Sequence, residues 1–150
     1  ISAACLTNLV VYAPQWLSYY NVLIGGLPGA PAAGMEPTYW WDSLDARSLA
    51  WLHDRTDKNE KIQFASPSQG NLVLLSQWGV LRRGWRASDP GRYRWYVVQH
   101  RPSAWTSRDR WLLENAVPAY RRTLLGVPLL SVYKYRDFER CASETLNTIH

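Results

Sequence analysis

At 150 residues and 47% hydrophobic, the chain has the size of one domain and enough apolar material for a real core, which excludes wholesale disorder. A net charge of +5, carried by Arg except at Lys58, Lys61 and Lys134, favours an anionic partner, although an Arg-rich genome produces the same excess. Nine Trp suit surfaces that are part apolar and part wet, and two cysteines, Cys5 and Cys141, without a CxxC, give a zinc site no support.

The first stretch, ISAACLTNLVVYA, is apolar but short of the ~20 residues a bilayer span needs. It has no charged n-region and so makes a poor signal peptide. Lacking an initiator Met, the chain reads as a fragment or a processed form. Residues 1–17 are expected to be an internal core element, or the end of a transmembrane or interfacial helix stopped at Pro14. In the second case Tyr12, Trp16, Tyr19 and Tyr20 would form an aromatic belt.

Ser18 to Leu44 follows, holding four of the nine glycines and three of the nine prolines among tyrosines and tryptophans. Such a mixture is neither a regular helix nor a regular strand, and it predicts a long Gly/aromatic-rich surface loop. Its GGLPG at Gly25–Gly29 matches neither GxGxxG nor GxxxxGK[ST], so it is read as a flexible loop and not a phosphate cradle. Glu36, Asp42 and Asp45 form an acidic group. Paired carboxylates serve acid/base work or hold a hard metal, whereas Asp42 and Asp45 would equally cap and charge a helix N-terminus.

Trp41–Trp51 is predicted to be a helix capped by Asp42 or Ser43, with Leu44, Ser48, Leu49 and Leu52 inward and Asp45 and Arg47 in solvent. Lys61–Ala65 reads as a short strand with Ile62 and Phe64 on one face. Ser66-Pro67-Ser68 starts a helix whose buried face is Leu72, Val73, Leu75 and Trp78 and whose C′ residue is Gly79. Val80–Trp85 is predicted as an edge strand, Ala87–Gly91 as a turn, and Tyr93–Gln99 as the strongest strand in the chain. A loop over His100–Ala104 leads to a helix capped by Thr106-Ser107 and running to Asn115, with Asp109 in its first turn and Trp111 and Leu112 inward. Ala119–Leu125 and Val127–Tyr133 make a hairpin about Gly126, and Phe138, Cys141, Ala142 and Leu146 suit a terminal helix or an ordered tail. The expected fold is α/β: a layered domain with a mixed, mostly central sheet flanked by helices, in three layers or with helices on one main face.

Other chemistry finds little footing. His53, His100 and His150 are scattered without metal-ligand spacing, His53-Asp54 reads as a helix end, and no GxSxG elbow is present. The Arg-aromatic run LRRGWRASDPGRYRW would suit single-stranded nucleic acid or a lipid phosphate, but its alternation is also that of a half-exposed strand.

The pattern SYYNxLxGGxxGAxxxGxExTYWxDxL, over Ser18–Leu44, resembles the opening of the C-terminal soluble domain of bacterial family 39-like membrane glycosyltransferases, the dolichyl-phosphate-mannose-protein-mannosyltransferase type with a GT-C fold. WYVVQHRPSAWTSRDRWLLENAVPAY, Trp95–Tyr120, resembles the family's strand, loop and helix, and GVPLLSVYK, Gly126–Lys134, its closing strand. The chain departs from the pattern at Trp41, where a glycine is expected, and after Tyr135. The resemblance implies hexosyl transfer from a polyprenyl-phosphate sugar on the extracytoplasmic face of the cell membrane, with the catalytic acid in a transmembrane part that matches nothing here. It therefore implies that residues 18–150 form an extracytoplasmic α/β domain without catalytic residue, cofactor or metal of its own. Its partners would be the membrane part of the same polypeptide and a lipid-linked sugar or glycan acceptor. The expected substrate-binding surface is Tyr19, Tyr20, Asn21, Gly25, Gly26, Gly29, Gly34, Glu36, Tyr39, Trp40 and Asp42, whose rings stack on sugars and whose polar groups meet hydroxyls. The alternatives are a non-enzymatic glycan- or protein-binding module, and, less favoured, a single-stranded nucleic-acid binder using Arg82, Arg83, Arg86, Arg92 and Arg94.

Overall fold

The computed structural model describes residues 7, 10, 11, 13, 18, 20, 22–38, 43–65, 69–82, 85 and 92–140. Most of residues 1–17 therefore lie outside the described residues, as do the expected turn at Ala87–Gly91, both cysteines and the tail after residue 140. Among the described residues no helix is long and apolar enough to cross a membrane.

The architecture is mixed α/β. After short turns over residues 22–38 come α1 (Ala46–Arg55), β1 (Glu60–Phe64), α2 (Gln69–Gln77), β2 (Arg92–Gln99), α3 (Ser107–Asn115), β3 (Tyr120–Leu124) and β4 (Val127–Lys134), with residues 135–140 helical. The four strands form one sheet in the order β1-β2-β4-β3. β1 and β2 are parallel and are joined through α2, whereas β4 runs antiparallel to both β2 and β3. The sheet is thus mixed, because the closing hairpin can only pair antiparallel.

Alternation along the two central strands builds two cores. Trp95 and Val97 of β2 and Leu130 and Val132 of β4 pack with Leu49 and Leu52 of α1, Leu72 of α2 and Trp85. Tyr96, Val98 and Tyr133 face the other way, onto Leu112 of α3 and Phe138. Helices therefore cover both faces, and the molecule has three layers. Further along this second face, Val127 and Leu129 of β4 receive the fully buried Leu27.

Four expectations need correction. α1 begins at Ala46 and not at Trp41, because Asp45 is its cap: in extended backbone, its carboxylate accepts from the Ser48 amide at 2.9 Å. Asp45 is also buried and not in solvent, since Arg122 of β3 donates to it at 2.8 Å. Trp78 is 70% exposed instead of buried. The chain turns just past α2, where Gly79 (φ +71°) lets its own amide reach Ser76 and that of Val80 reach Leu75, so Leu81 takes the inward place. Finally, the described residues of Val80–Trp85 form no strand. The Arg82 guanidinium donates to the Thr56 carbonyl at 3.1 Å, and Trp85 is buried as a core plug against His53.

Candidate functional site

The candidate site lies where β2 ends, the kind of position at which open α/β sheets hold ligands. One wall is built by residues 22–37. Gly25 (φ +82°) opens a single helical turn, Gly26–Gly29, that drives Leu27 into β4. Gly29 is tight against the preceding turn: a Cβ there would sit 1.7 Å from the Ile24 carbonyl oxygen. Successive turns then close through Ala33 to Gly29, Gly34 to Pro31 and Met35 to Ala30, with Gly34 at φ +72°.

Polar bonds tie this wall to the end of β2. Glu36 accepts from Arg101 Nε at 2.8 Å and from the Ser103 amide at 2.9 Å, and its carbonyl accepts from the Tyr20 hydroxyl. Burial pushes the Glu36 carboxyl up, but the bonds from Ser103 and Arg101 outweigh it, so its pKa is held below the usual value and it is ionised at neutral pH. Thr38 donates to the His100 carbonyl at 3.3 Å and accepts from the Gln99 side chain at 2.8 Å. The opposite wall is Pro102–Ala104, a 3-10 turn, followed by Trp105, whose indole N–H donates to the Gln99 carbonyl at 2.8 Å.

Between the walls is a cleft of about 530 Å³. Its lining is mostly apolar, from Pro31, Met35, Trp105, Val127 and Pro128, with His100 and Glu36 as polar groups. His100 is buried, 2.9 Å from the Ser131 hydroxyl and edge-on to Trp105 at 5.9 Å. Burial, and secondarily the positive charge of Arg121, push its pKa down to about 4, so the imidazole is neutral at physiological pH. An apolar cavity with a few fixed polar groups is suited to holding and orienting a ligand. Glu36, the one carboxylate among the described residues lining the cleft, is engaged by Arg101 and Ser103. Among the described residues no group of three or more His, Cys, Asp or Glu is arranged to hold a metal ion.

Of the residues expected to form the binding surface, Gly34 and Glu36 line the cleft. Gly25, Gly26 and Gly29 shape the backbone of its wall, and Tyr20 braces Glu36 from behind. Tyr19, Asn21, Tyr39, Trp40 and Asp42 lie outside the described residues. Of the acidic group, Glu36 serves the cleft wall and Asp45 joins α1 to β3. His100, Ser103, Trp105 and the Val127-Pro128 step were missed as site residues. The available signal was their position, just after the strongest predicted strand and at the start of the last one. Within the run of interleaved Arg and aromatic residues, Trp85 and Trp95 are buried, so neither ring presents a free face for stacking.

No protein-family model, curated protein or solved structure matches the chain in comparisons of each kind.

Proposed function

We propose that the chain is the extracytoplasmic C-terminal domain of an integral-membrane glycosyltransferase using a polyprenyl-phosphate sugar, and that its cleft binds the sugar of the donor or the acceptor glycan. The domain does not carry the catalytic base. One observation supports this reading above the others. The three segments that carry the family resemblance, Ser18–Leu44, Trp95–Tyr120 and Gly126–Lys134, are separated in the chain yet each contributes to one cleft: Glu36 from the first, Trp105 from the second, Pro128 from the third. Trp105 and the prolines offer flat apolar surface to a sugar ring, and Glu36 offers lone pairs to hydroxyls.

The test is an NMR titration of the chain with a short-chain polyprenyl-phosphate hexose and, separately, with free oligosaccharides. Saturable shifts at Gly34, Glu36, His100 and Trp105 with the lipid-linked sugar, lost in Trp105→Ala, are the expected result. Shifts with oligosaccharides alone would move the reading to a glycan-binding module without enzymatic context. Silence with both would remove recognition by this cleft.

A further inference from the structure

A second pocket, of about 280 Å³, opens at the other end of β2. The strand rises ~3.3 Å per residue, so its lining at Arg92–Arg94 lies about 20 Å from the His100 cleft, and the two linings share no residue. Four cations line it: Arg92 and Arg94 from β2, Lys134 from the end of β4, and Arg136 beyond it. Glu60 is the one carboxylate in the lining, 3.8 Å from Arg94 Nε, and Asp137 stands 3.8 Å from Arg136 Nε just outside. Four positive groups against one lining carboxylate leave the pocket strongly positive. All four cationic residues are exposed, so their charges are available to a solute.

The pocket is also shaped. Tyr93 and Tyr135 stack at 4.8 Å between the cations, and the Lys61 ammonium sits 5.0 Å from the Tyr93 ring centre. The β1–β2 ladder breaks at this point: Lys61 pairs with Tyr93 but Ile62 pairs with Trp95, so Arg94 is an extra residue in β2. Bulges of this kind re-aim side chains and recur beside functional sites. Here the bulge places consecutive β2 residues, Arg92 to Arg94, in the same pocket lining.

We propose that this pocket is an anion site that takes a phosphate group, as a monoester or diphosphate. Guanidinium forks match phosphate oxygens bidentately, and three of them with a lysine suit a doubly charged group better than a single carboxylate. The group comes either from a soluble phosphate ester or from a lipid headgroup, and the experiment separates these sources.

Inorganic phosphate and pyrophosphate are titrated into the isotope-labelled chain, with the amides of Arg92–Arg94 and Lys134–Arg136 followed by NMR. Saturable shifts confined to those residues are expected. The exposed double change Lys134→Gln/Arg136→Gln weakens the binding about tenfold or more, as loss of charge-assisted bonds requires. Glu60→Gln tightens it by removing the opposing charge, while Arg47→Gln, at an exposed position of α1 outside the lining, leaves it unchanged. In a parallel arm the chain is sedimented with vesicles of phosphatidylglycerol in phosphatidylcholine, against phosphatidylcholine alone. Capture by the anionic vesicles that the Lys134/Arg136 variant loses assigns the group to a lipid headgroup. Phosphate or pyrophosphate binding without vesicle capture assigns it to a soluble ester. No saturable response in either arm overturns the site, and so does binding that Lys134→Gln/Arg136→Gln leaves intact.

Discussion

His100 sits at the junction of three parts of the molecule. Its amide donates to Leu129 of β4 at 2.8 Å, its carbonyl accepts from Thr38, and its ring rests beside Ser131 and Trp105. Because the folded-state pKa of about 4 lies below the ordinary value of 6.5, the unfolded chain binds a proton over that interval that the native chain does not. The contribution to stability is complete above about pH 6.5 and is lost as pH falls towards 4, amounting to about 3 kcal/mol. Urea unfolding followed between those limits is expected to show this slope, and His100→Gln to flatten it; an unchanged slope in the variant would mean that other groups carry the dependence. Asp45 belongs to the same scale. Its pKa reflects burial, which raises it, overcome by the bonds from Ser48 and Arg122, which lower it. Nothing in the local sequence announces this ion pair, since Asp45 and Arg122 meet only through the packing of α1 on β3.

At the scale of elements, the hairpin of β3 and β4 joins Leu124 to Val127 through two residues, both with left-handed backbone: Leu125 at φ 49° and Gly126 at φ 80°. Such a turn favours Asn-Gly, because a leucine there is strained by its Cβ. Leu125 is half exposed, so little packing offsets the strain. Leu125→Asn is expected to stabilise the protein by about 1 kcal/mol, read as a Tm higher by several degrees. A lower Tm would show that the leucine makes contacts worth more than the relieved backbone.

The hairpin was legible in the sequence because Gly126 stands between two strand-like runs. So was α3, whose Thr106 and Asp109 form a reciprocal capping box, with Asp109 also accepting from the Tyr96 hydroxyl at 2.7 Å. β1 and β2 were legible from alternation, and the end of α2 from Gly79. The start of α1 was not, because three candidate caps, Asp42, Ser43 and Asp45, stand within four residues, and Asp45 is held in that role by Ser48 and by a tertiary pairing with Arg122 that the local sequence does not show. Val80–Trp85 was misread because its apolar spacing fits a strand as well as it fits irregular backbone pinned by Leu81 and Trp85. Of the cleft, the sequence exposed the glycine-rich wall but not the far side, since bringing Trp105 and Pro128 opposite Glu36 is a product of strand order.

At the scale of the whole molecule, β2 and β4 form the centre of the sheet, with apolar cores on both faces, while β1 and β3 are its edges. The two candidate sites occupy the two ends of β2, so the strand that unites the cores also spaces the sites apart. Its two pairings are unlike in how they are reached. β4 and β3 are neighbours in the chain, whereas β1 meets β2 only after the chain has travelled from Phe64 to Arg92 through α2. That asymmetry has a kinetic consequence. Closing the longer connection costs about 2 kcal/mol more in chain entropy than closing the hairpin, so β3–β4 is expected to form before the rate-limiting step and β1 to dock after it. Thr123→Ala should then slow folding, with a φ-value well above that of Ile62→Val, which should chiefly speed unfolding. The reverse ranking would make the parallel crossover the nucleus, and the hairpin the last piece to lock.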